Sequence, residues 1–314
     1  MTNIQREDIH IVSRHSDLTE QAVDKVLKEN VYNDKETWQK FLRLFFISLG
    51  VGFTVSGIVF FFAYNWADLH KFAKIGLTEG VLIATTILVL LPKLNISIRN
   101  IILTGASVLV GVLFAVFGQI YQTGANAYDF FLGWTVFVTL WVLISNFSPL
   151  WLLYLVLINT TFILYSQQVA KDWSAVFVCT LLFIINSAVL ISAISFGKKK
   201  TPNWFLNTVA LASASYATIG VVIGIFDKHQ TAFPILILIT AIVFALGIWY
   251  GLKTKSGFYL SVIPFSLIII VSSLLIKISD GEMMFLLVSL FIIASVTLTI
   301  KNLIDIQKKW TNEK

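Results

Sequence analysis

The sequence predicts an all-α integral membrane protein: a bundle of about ten transmembrane helices with both ends in the cytoplasm, preceded by a short cytoplasmic amphipathic helical element. Three observations predict it. Apolar residues make up 57% of the 314-residue chain and charged residues 13%, with a mean hydropathy of +0.83; a water-covered domain carries roughly 25% charged residues. The apolar residues form continuous runs long enough for a bilayer-crossing helix, not the short alternating segments of a barrel. The cations fall mostly on one side of those runs, as the positive-inside rule requires.

The same composition excludes other classes. A single cysteine, Cys179, rules out a disulfide scaffold and a cysteine-built zinc site. His10, His15, His70 and His229 have no metal-ligand spacing, so neither a metal nor another cofactor is expected. The net charge of +6 is accounted for by lysine and arginine in cytoplasmic loops, so the expected partner is the lipid bilayer and not nucleic acid.

Residues 1–43 read as a cytoplasmic helical element, 44–300 as the transmembrane bundle and 301–314 as a cytoplasmic tail. The first 43 residues carry seven basic and eight acidic side chains, so a cleavable signal peptide is not expected. Asp17 or Ser16 is positioned to cap a helix running to about Val31, with Leu18, Ala22, Val23, Val26 and Leu27 on one side. Such a helix suits either the bundle or membrane surface or a docked partner. Asn33 or Asp34 is positioned to cap a second helix that runs through Trp38 and Phe41 into the first span.

Ten apolar runs follow, at about 44–63, 75–91, 101–120, 131–147, 150–165, 174–196, 205–226, 232–250, 258–276 and 283–300. Spans four and five are separated only by a tight turn at Ser148-Pro149, so one of them is open to a re-entrant reading. With the N-terminus inside, the inner segments hold eighteen lysines and arginines and the outer loops five. Small residues at helical spacing mark contact faces: Ser48, Gly52 and Ser56 in span one; Gly111, Ala115 and Gly118 in span three; Ser213, Ala217, Gly220 and Gly224 in span seven. Asn159 and Asn186 read as interhelical hydrogen-bonders, and Pro264 as a kink in span nine.

Polar chemistry gathers in two outer segments. The first runs from Ala63 through Asn65, Trp66, Asp68 and His70 to Lys74. Asn65 is placed to cap the following helix, and Asp68, Phe72, Ile75 and Glu79 would share a stripe if that helix were continuous. Glu79 is the one carboxylate well inside an apolar run. It needs a cation such as Lys74 or Lys71, or a proton, and reads either as an ion or proton site or as a polar anchor one turn below the surface. The second segment, Phe117 to Phe131, has no basic residue. Gln119 and Gln122 project from one face, with Tyr121, Gly124 and Asp129 nearby; this suits a polar pocket or an aromatic interfacial loop. The candidate ligand-binding residues are thus Asn65, Trp66, Asp68, Lys74, Glu79, Gln119, Tyr121, Gln122 and Asp129. No catalytic residue is assigned.

These two segments carry a resemblance. The run Ala63-Tyr64-Asn65-Trp66-Ala67-Asp68 followed by Lys74, and the run Gly118-Gln119-Ile120-Tyr121-Gln122-Thr123-Gly124-Ala125, are similar to those of the domain of unknown function 2157 family of bacterial multi-pass membrane proteins. The resemblance covers roughly the first 150 residues. It implies a bacterial inner-membrane location and a companion membrane protein with an extracytoplasmic domain. It implies no activity and assigns no role to any residue.

Three functions compete on the sequence. A carrier or channel for a small solute fits ten spans in two halves of five, by analogy with inverted repeats. A non-catalytic structural or sensory subunit would bind a lipid, glycan or partner protein through its outer loops. An enzyme acting on a lipid-linked substrate would use Asp68, His70, Glu79 and Asp129, at least two of which would have to converge; no nucleophile supports it.

Overall fold

The computed structural model describes residues 9, 13, 19–30, 35–64, 69–121, 124, 126–196, 201–227, 231–278 and 283–312. Among them every regular element is helical. In chain order these are α1 (Glu20–Asn30), α2 (Lys35–Tyr64), α3 (Lys71–Leu90), α4 (Ile96–Tyr121), α5 (Ala127–Ser145), α6 (Ser148–Gln168), α7 (Ala175–Phe196), α8 (Asn203–Phe226), α9 (Phe233–Lys253), α10 (Gly257–Ile278) and α11 (Met283–Asn312). The last ten are each long and apolar enough to cross a membrane, and they coincide in order with the ten runs read from the sequence. The chain is a multi-pass all-α membrane protein.

It forms two compact units, Met1–Val116 and Phe117–Lys314. The division falls in the third span, so the units do not coincide with two five-span halves.

In the first unit, the Thr19 hydroxyl accepts from the Ala22 amide at 3.4 Å at the start of α1, and Glu20 and Lys28 match the helix dipole at its two ends. Leu27 is buried, and Ala22, Val23 and Val26 are half-buried, as the amphipathic pattern requires. Leu18, Val31 and the expected caps at residues 16, 17, 33 and 34 lie outside the described residues. Helix α2 is continuous from a polar start through Trp38 and Phe41 into the membrane span. Its contact with α4 inverts the expected roles. A side chain at Gly105 would run into Val51, so α2 supplies the valine knob and α4 the glycine hole. The glycine nominated on α2, Gly52, has no neighbour within 4 Å of where a Cβ would stand.

The start of α3 also departs from expectation. His70, not Asn65, caps it: the His70 Nδ1 accepts from the Phe72 amide at 3.4 Å, and helical backbone begins at Lys71. Asn65 lies outside the described residues. The buried face of α3 carries Lys74, Thr78, Leu82 and Val89. Thr78 donates back to the Lys74 carbonyl at 2.8 Å, which satisfies its hydroxyl within the helix.

The second unit is built around α8. Its buried residues run from Phe205 to Ile225; Ala214, Ala217, Val221 and Ile225 share a core with Val176 and Phe183 of α7, Leu236 and Phe244 of α9 and Ile263 of α10, and Phe205 and Val209 pack with Leu155 of α6. Helices α5 and α6, with 19 and 21 residues, are two full spans. The turn between them is Asn146-Phe147, not Ser148-Pro149. Asn146 takes the left-handed conformation (φ 45°, ψ 43°) that ends α5, and Pro149 sits in the first turn of α6, where its missing N–H has no helical partner to lose. Pro264 lies within a continuous α10.

Neighbouring helices of this unit are joined by side-chain hydrogen bonds. The Thr139 and Tyr154 hydroxyls meet at 3.0 Å between α5 and α6. Asn159 and Asn186 exchange amide hydrogen bonds at 3.2 and 3.0 Å between α6 and α7, and the Ser187 and Ser213 hydroxyls meet at 2.8 Å between α7 and α8. The Lys277 ammonium of α10 donates to the Ile225 carbonyl in the last turn of α8, the dipole end that favours a cation.

Candidate functional site

The residues nominated from the sequence are distributed as follows. Asn65, Trp66, Asp68 and Gln122 lie outside the described residues. Lys74 and Glu79 share α3 but project about 140° apart, as five residues of helix dictate; Lys74 is buried and Glu79 exposed. A direct Lys74–Glu79 pair along the helix is therefore not formed, and Glu79 has no ion-pair partner among the described residues. Because α3 begins at Lys71, Glu79 stands about 12 Å along a helix about 30 Å long. That is more than two turns from its start, deeper than the single turn expected. The stripe with Phe72, Ile75 and Glu79 faces away from the buried face of α3: Phe72 and Glu79 are exposed and Ile75 is half-buried.

In the second unit, Gln119 and Tyr121 are exposed near the end of α4, with the Tyr121 ring 4.5 Å from that of Phe117. Asp129 is tied into the start of α5, where its carboxylate accepts from the Asn126 amide at 3.1 Å. The next orphan donor, the Tyr128 amide, is satisfied by the side-chain Oε1 of Gln168 at 3.0 Å. Rings of Tyr128, Tyr165, Trp173 and Phe177 follow one another at 5.0–5.4 Å across the ends of α5, α6 and α7. This is the amphipathic aromatic clustering of a membrane interface. Of the acid–base candidates, His70 is engaged in capping, and Glu79 lies about 13 Å along the helix from it. Those two do not converge.

A different place in the second unit has the geometry of a site. A cavity of about 700 Å³ lies at the end that carries the Asn146–Phe147 turn. Asn146, Ser148 and Trp151 line it from that turn and the first turn of α6, Ser192 and Phe196 from α7, and Thr201 and Phe205 from around the start of α8. Two helix N-termini therefore end at its wall. Their N-cap residues, Phe147 and Pro202, supply no side-chain cap, so first-turn amides of both helices remain available as donors. The side chains of Asn146, Ser148, Trp151 and Ser192 make no hydrogen bond among the described residues.

Toward the bundle centre the cavity is closed by an apolar layer. Leu155, Phe205 and Val209 are buried there, packed with Trp151, Ile185, Val189 and Ala193. Four of these, Trp151, Val189, Ala193 and Phe205, also line the cavity. One turn beyond Leu155 on α6 is Asn159, and about one turn beyond Val189 on α7 is Asn186, the reciprocally bonded pair. A second cavity, of about 260 Å³ and almost wholly apolar, lies between α7, α8, α9 and α10 and includes Phe244, Trp249 and Tyr259. Of the candidate ligand-binding residues that are described, Lys74, Glu79, Gln119, Tyr121 and Asp129, none lines either cavity.

The larger cavity is not legible in the sequence because its residues come from three stretches, 146–151, 188–196 and 201–205, that only the packing of three helices brings together. The sequence carried no signal for it: Ser148 before Pro149 and Thr201 before Pro202 read as ordinary helix caps, and only the structure places the caps at Phe147 and Pro202.

Comparison with known proteins agrees with the resemblance. Residues 16–151 match the model of a family described as a predicted membrane protein, domain of unknown function 2157. Asn146, Ser148 and Trp151 of the cavity fall within that stretch, and the walls from α7 and α8 fall beyond it. Neither the curated proteins nor the solved structures contain a match to the chain.

Proposed function

We propose that this membrane protein carries a small solute across the cytoplasmic membrane of a bacterium, and that the 700 Å³ cavity is its cytoplasm-facing vestibule. The orientation rests on the lysine and arginine asymmetry, which puts both termini, the Asn146–Phe147 turn and the 197–202 connection inside. One observation supports transport above the alternatives: cavity, apolar layer and buried amide pair follow one another along α6 and α7. A polar pair held near mid-membrane behind one removable layer suits a route with a closed gate. In this reading Asn65, Trp66, Asp68, Lys74 and Glu79, and separately Gln119, Tyr121, Gln122 and Asp129, serve as extracytoplasmic polar positions.

The second reading is a non-catalytic structural or sensory subunit that binds a lipid, a glycan or a companion membrane protein through its outer loops. The hydrogen bonds that join α5 to α8 favour it, because they lock the interior.

Thiol accessibility separates the two. In a Cys179→Ala background, Ser192→Cys and Leu155→Cys are exposed to a charged methanethiosulfonate reagent in right-side-out and inside-out vesicles. Ser192→Cys should react from the cytoplasmic side only. A carrier opens the apolar layer, so Leu155→Cys should react as well, more slowly and from both sides. A Leu155→Cys that stays unmodified from both faces while Ser192→Cys reacts removes the carrier reading and leaves the subunit.

A further inference from the structure

We infer that the apolar cavity between α7, α8, α9 and α10 seats one acyl chain of an anionic phospholipid, whose polar end is held by Tyr259 and Lys253. The inference needs only the fold of these four helices and stands whether the protein is a carrier or a subunit.

The cavity, of about 260 Å³, forms where small residues leave space: Ala210, Ser213 and Ala214 on α8 and Gly247 on α9. Its lining spans two environments. Phe244 and Ile263 are buried in the bundle, whereas Ile191 of α7 and Leu246 and Trp249 of α9 are exposed. The exposed faces of these spans meet hydrocarbon, so the cavity opens sideways into lipid. An almost wholly apolar space of this kind stays dry and accepts a hydrocarbon. That sets the apolar part of the ligand.

Two further observations set its polar end. Tyr259 lines the cavity at only 7% exposure, and its hydroxyl is buried with no hydrogen-bond partner among the described residues. A phenol buried in this way is costly unless an acceptor reaches it. The other buried polar residue of the lining, Ser213, is already engaged by the Ser187 hydroxyl at 2.8 Å. The second observation is charge. Lys253, in the last turn of α9, holds its ammonium 4.8 Å from the centre of the Trp249 ring, which lines the cavity. Lys253 forms no ion pair among the described residues, and the sequence has no carboxylate between Lys228 and Ser279.

The donor and the cation lie at the same end of the bundle. The Tyr259 ring stands 5.3 Å from that of Tyr250, which is about one turn before Lys253 on α9. An apolar space with a phenol and an ammonium at one end fits an amphiphile that carries a chain, an acceptor oxygen and an anion in that order. A glycerophospholipid has this order: acyl chain, ester carbonyl, phosphate. A negatively charged headgroup adds attraction to Lys253. Water or a bare inorganic ion would leave the apolar walls unused.

The full-length protein, purified in neutral detergent, is titrated with phosphatidylglycerol and with phosphatidylcholine of identical acyl chains. Retention is read by native mass spectrometry, and melting temperature is followed with and without lipid. Phosphatidylglycerol should bind about fivefold more tightly, the contribution of one lysine near the membrane surface. Lys253→Gln should abolish that preference and leave retention of phosphatidylcholine unchanged. Tyr259→Phe should weaken both lipids alike, by roughly fivefold for one hydrogen bond, with no fall in melting temperature when lipid is absent. Ala210→Leu, which grows a side chain into the cavity, should remove retention of both; should it fail to fold, the other two variants decide. Equal retention of the two lipids by the parent, or retention unchanged in Tyr259→Phe or in folded Ala210→Leu, overturns the site. A Tyr259→Phe protein that is less stable without lipid would show that the hydroxyl is satisfied inside the protein, and overturns it as well.

Discussion

Two stripes of small residues, each repeating at about four-residue spacing, meet opposite fates. On α8, Ser213, Ala217, Gly220 and Gly224 are all buried, and the neighbouring helices are shaped to them. Ser187 bonds the Ser213 hydroxyl, a side chain at Gly220 would stand 2.7 Å from Cys179 Cβ and 2.8 Å from Leu236 Cδ2, and the Phe233 ring fills the space at Gly224. On α2, Ser48 turns its hydroxyl back to the Leu44 carbonyl at 2.8 Å and Gly52 faces no atom within 4 Å. The difference lies in the partner, not in the stripe. Apolar burial drives little helix association within lipid, so small residues permit close approach without causing it. Approach becomes packing only where the facing helix supplies a fitted knob or a hydrogen-bond partner.

The sharpest way to break this contrast is to overfill the α8 stripe. Gly220→Leu has no room on either side, since one neighbour is the β-carbon of Cys179 and cannot rotate away. Overpacking of this kind costs about 1–3 kcal/mol, and more where backbone has to move. The variant should lose several degrees of melting temperature in detergent, or fail to yield a monodisperse product. A Gly220→Leu protein as stable as the parent would show that α8 is not clamped between α7 and α9.

A smaller effect sharpens the polar half of the comparison. Asn186 is fully buried, and Asn159 supplies its amide partner. Asn159→Ala leaves the Asn186 carbonyl oxygen without its partner, although the Asn186 amide keeps its bond to the Leu182 carbonyl at 2.8 Å. The cost should be about 1 kcal/mol, at the low end for an orphaned buried group because hydrogen bonds between membrane helices have modest net values. Replacing both with leucine removes the orphan and should restore much of the loss. Thermal unfolding of Asn159→Leu, Asn186→Leu and the double leucine variant tests this as a cycle. If the double variant loses as much as the singles combined, the pair does not act as a unit.

How far the fold could be read from sequence follows from the same distinction. The spans were legible because bilayer thickness imposes length and apolarity on each helix separately, as in Ile96–Tyr121. That Asn159 and Asn186 bond between helices was legible because a buried amide inside a membrane span has few solutions besides another helix; that they bond to each other was not. The match over residues 16–151 also agrees with the motifs of the two polar segments. What failed depended on neighbours. The sequence marks Gly52 and Gly118 as contact points as strongly as Gly220, yet a Cβ at either would meet no atom of the described residues within 4 Å, while Gly105, which receives Val51, stood out by no spacing rule. His70 displaced Asn65 as the cap of α3 because helix starts are set by backbone geometry within a residue or two, where several polar residues compete. The cavity at Ser148, Ser192 and Thr201 needed three helices to be placed before any of its residues looked special.

The smallest predicted effect is the one that holds the comparison together. Gly52→Leu places a large side chain where the α8 analogue is intolerable, on a helix with the same small-residue spacing. Gly52 is exposed on α2, and the space beyond its Cα contains no atom within 4 Å. No overpacking term therefore arises. Glycine inside a helix is about 1 kcal/mol less favourable than a good helix former, and leucine adds apolar surface on a face suited to hydrocarbon. Melting temperature in detergent should stay level or rise slightly, a change within about 0.5 kcal/mol. A fall matching that of Gly220→Leu would mean that something covers this face in the purified protein, and a second copy of the chain is the first to test by cross-linking at Gly52→Cys. In that case the two stripes would share one fate, and the contrast would lie in which molecule supplies the partner.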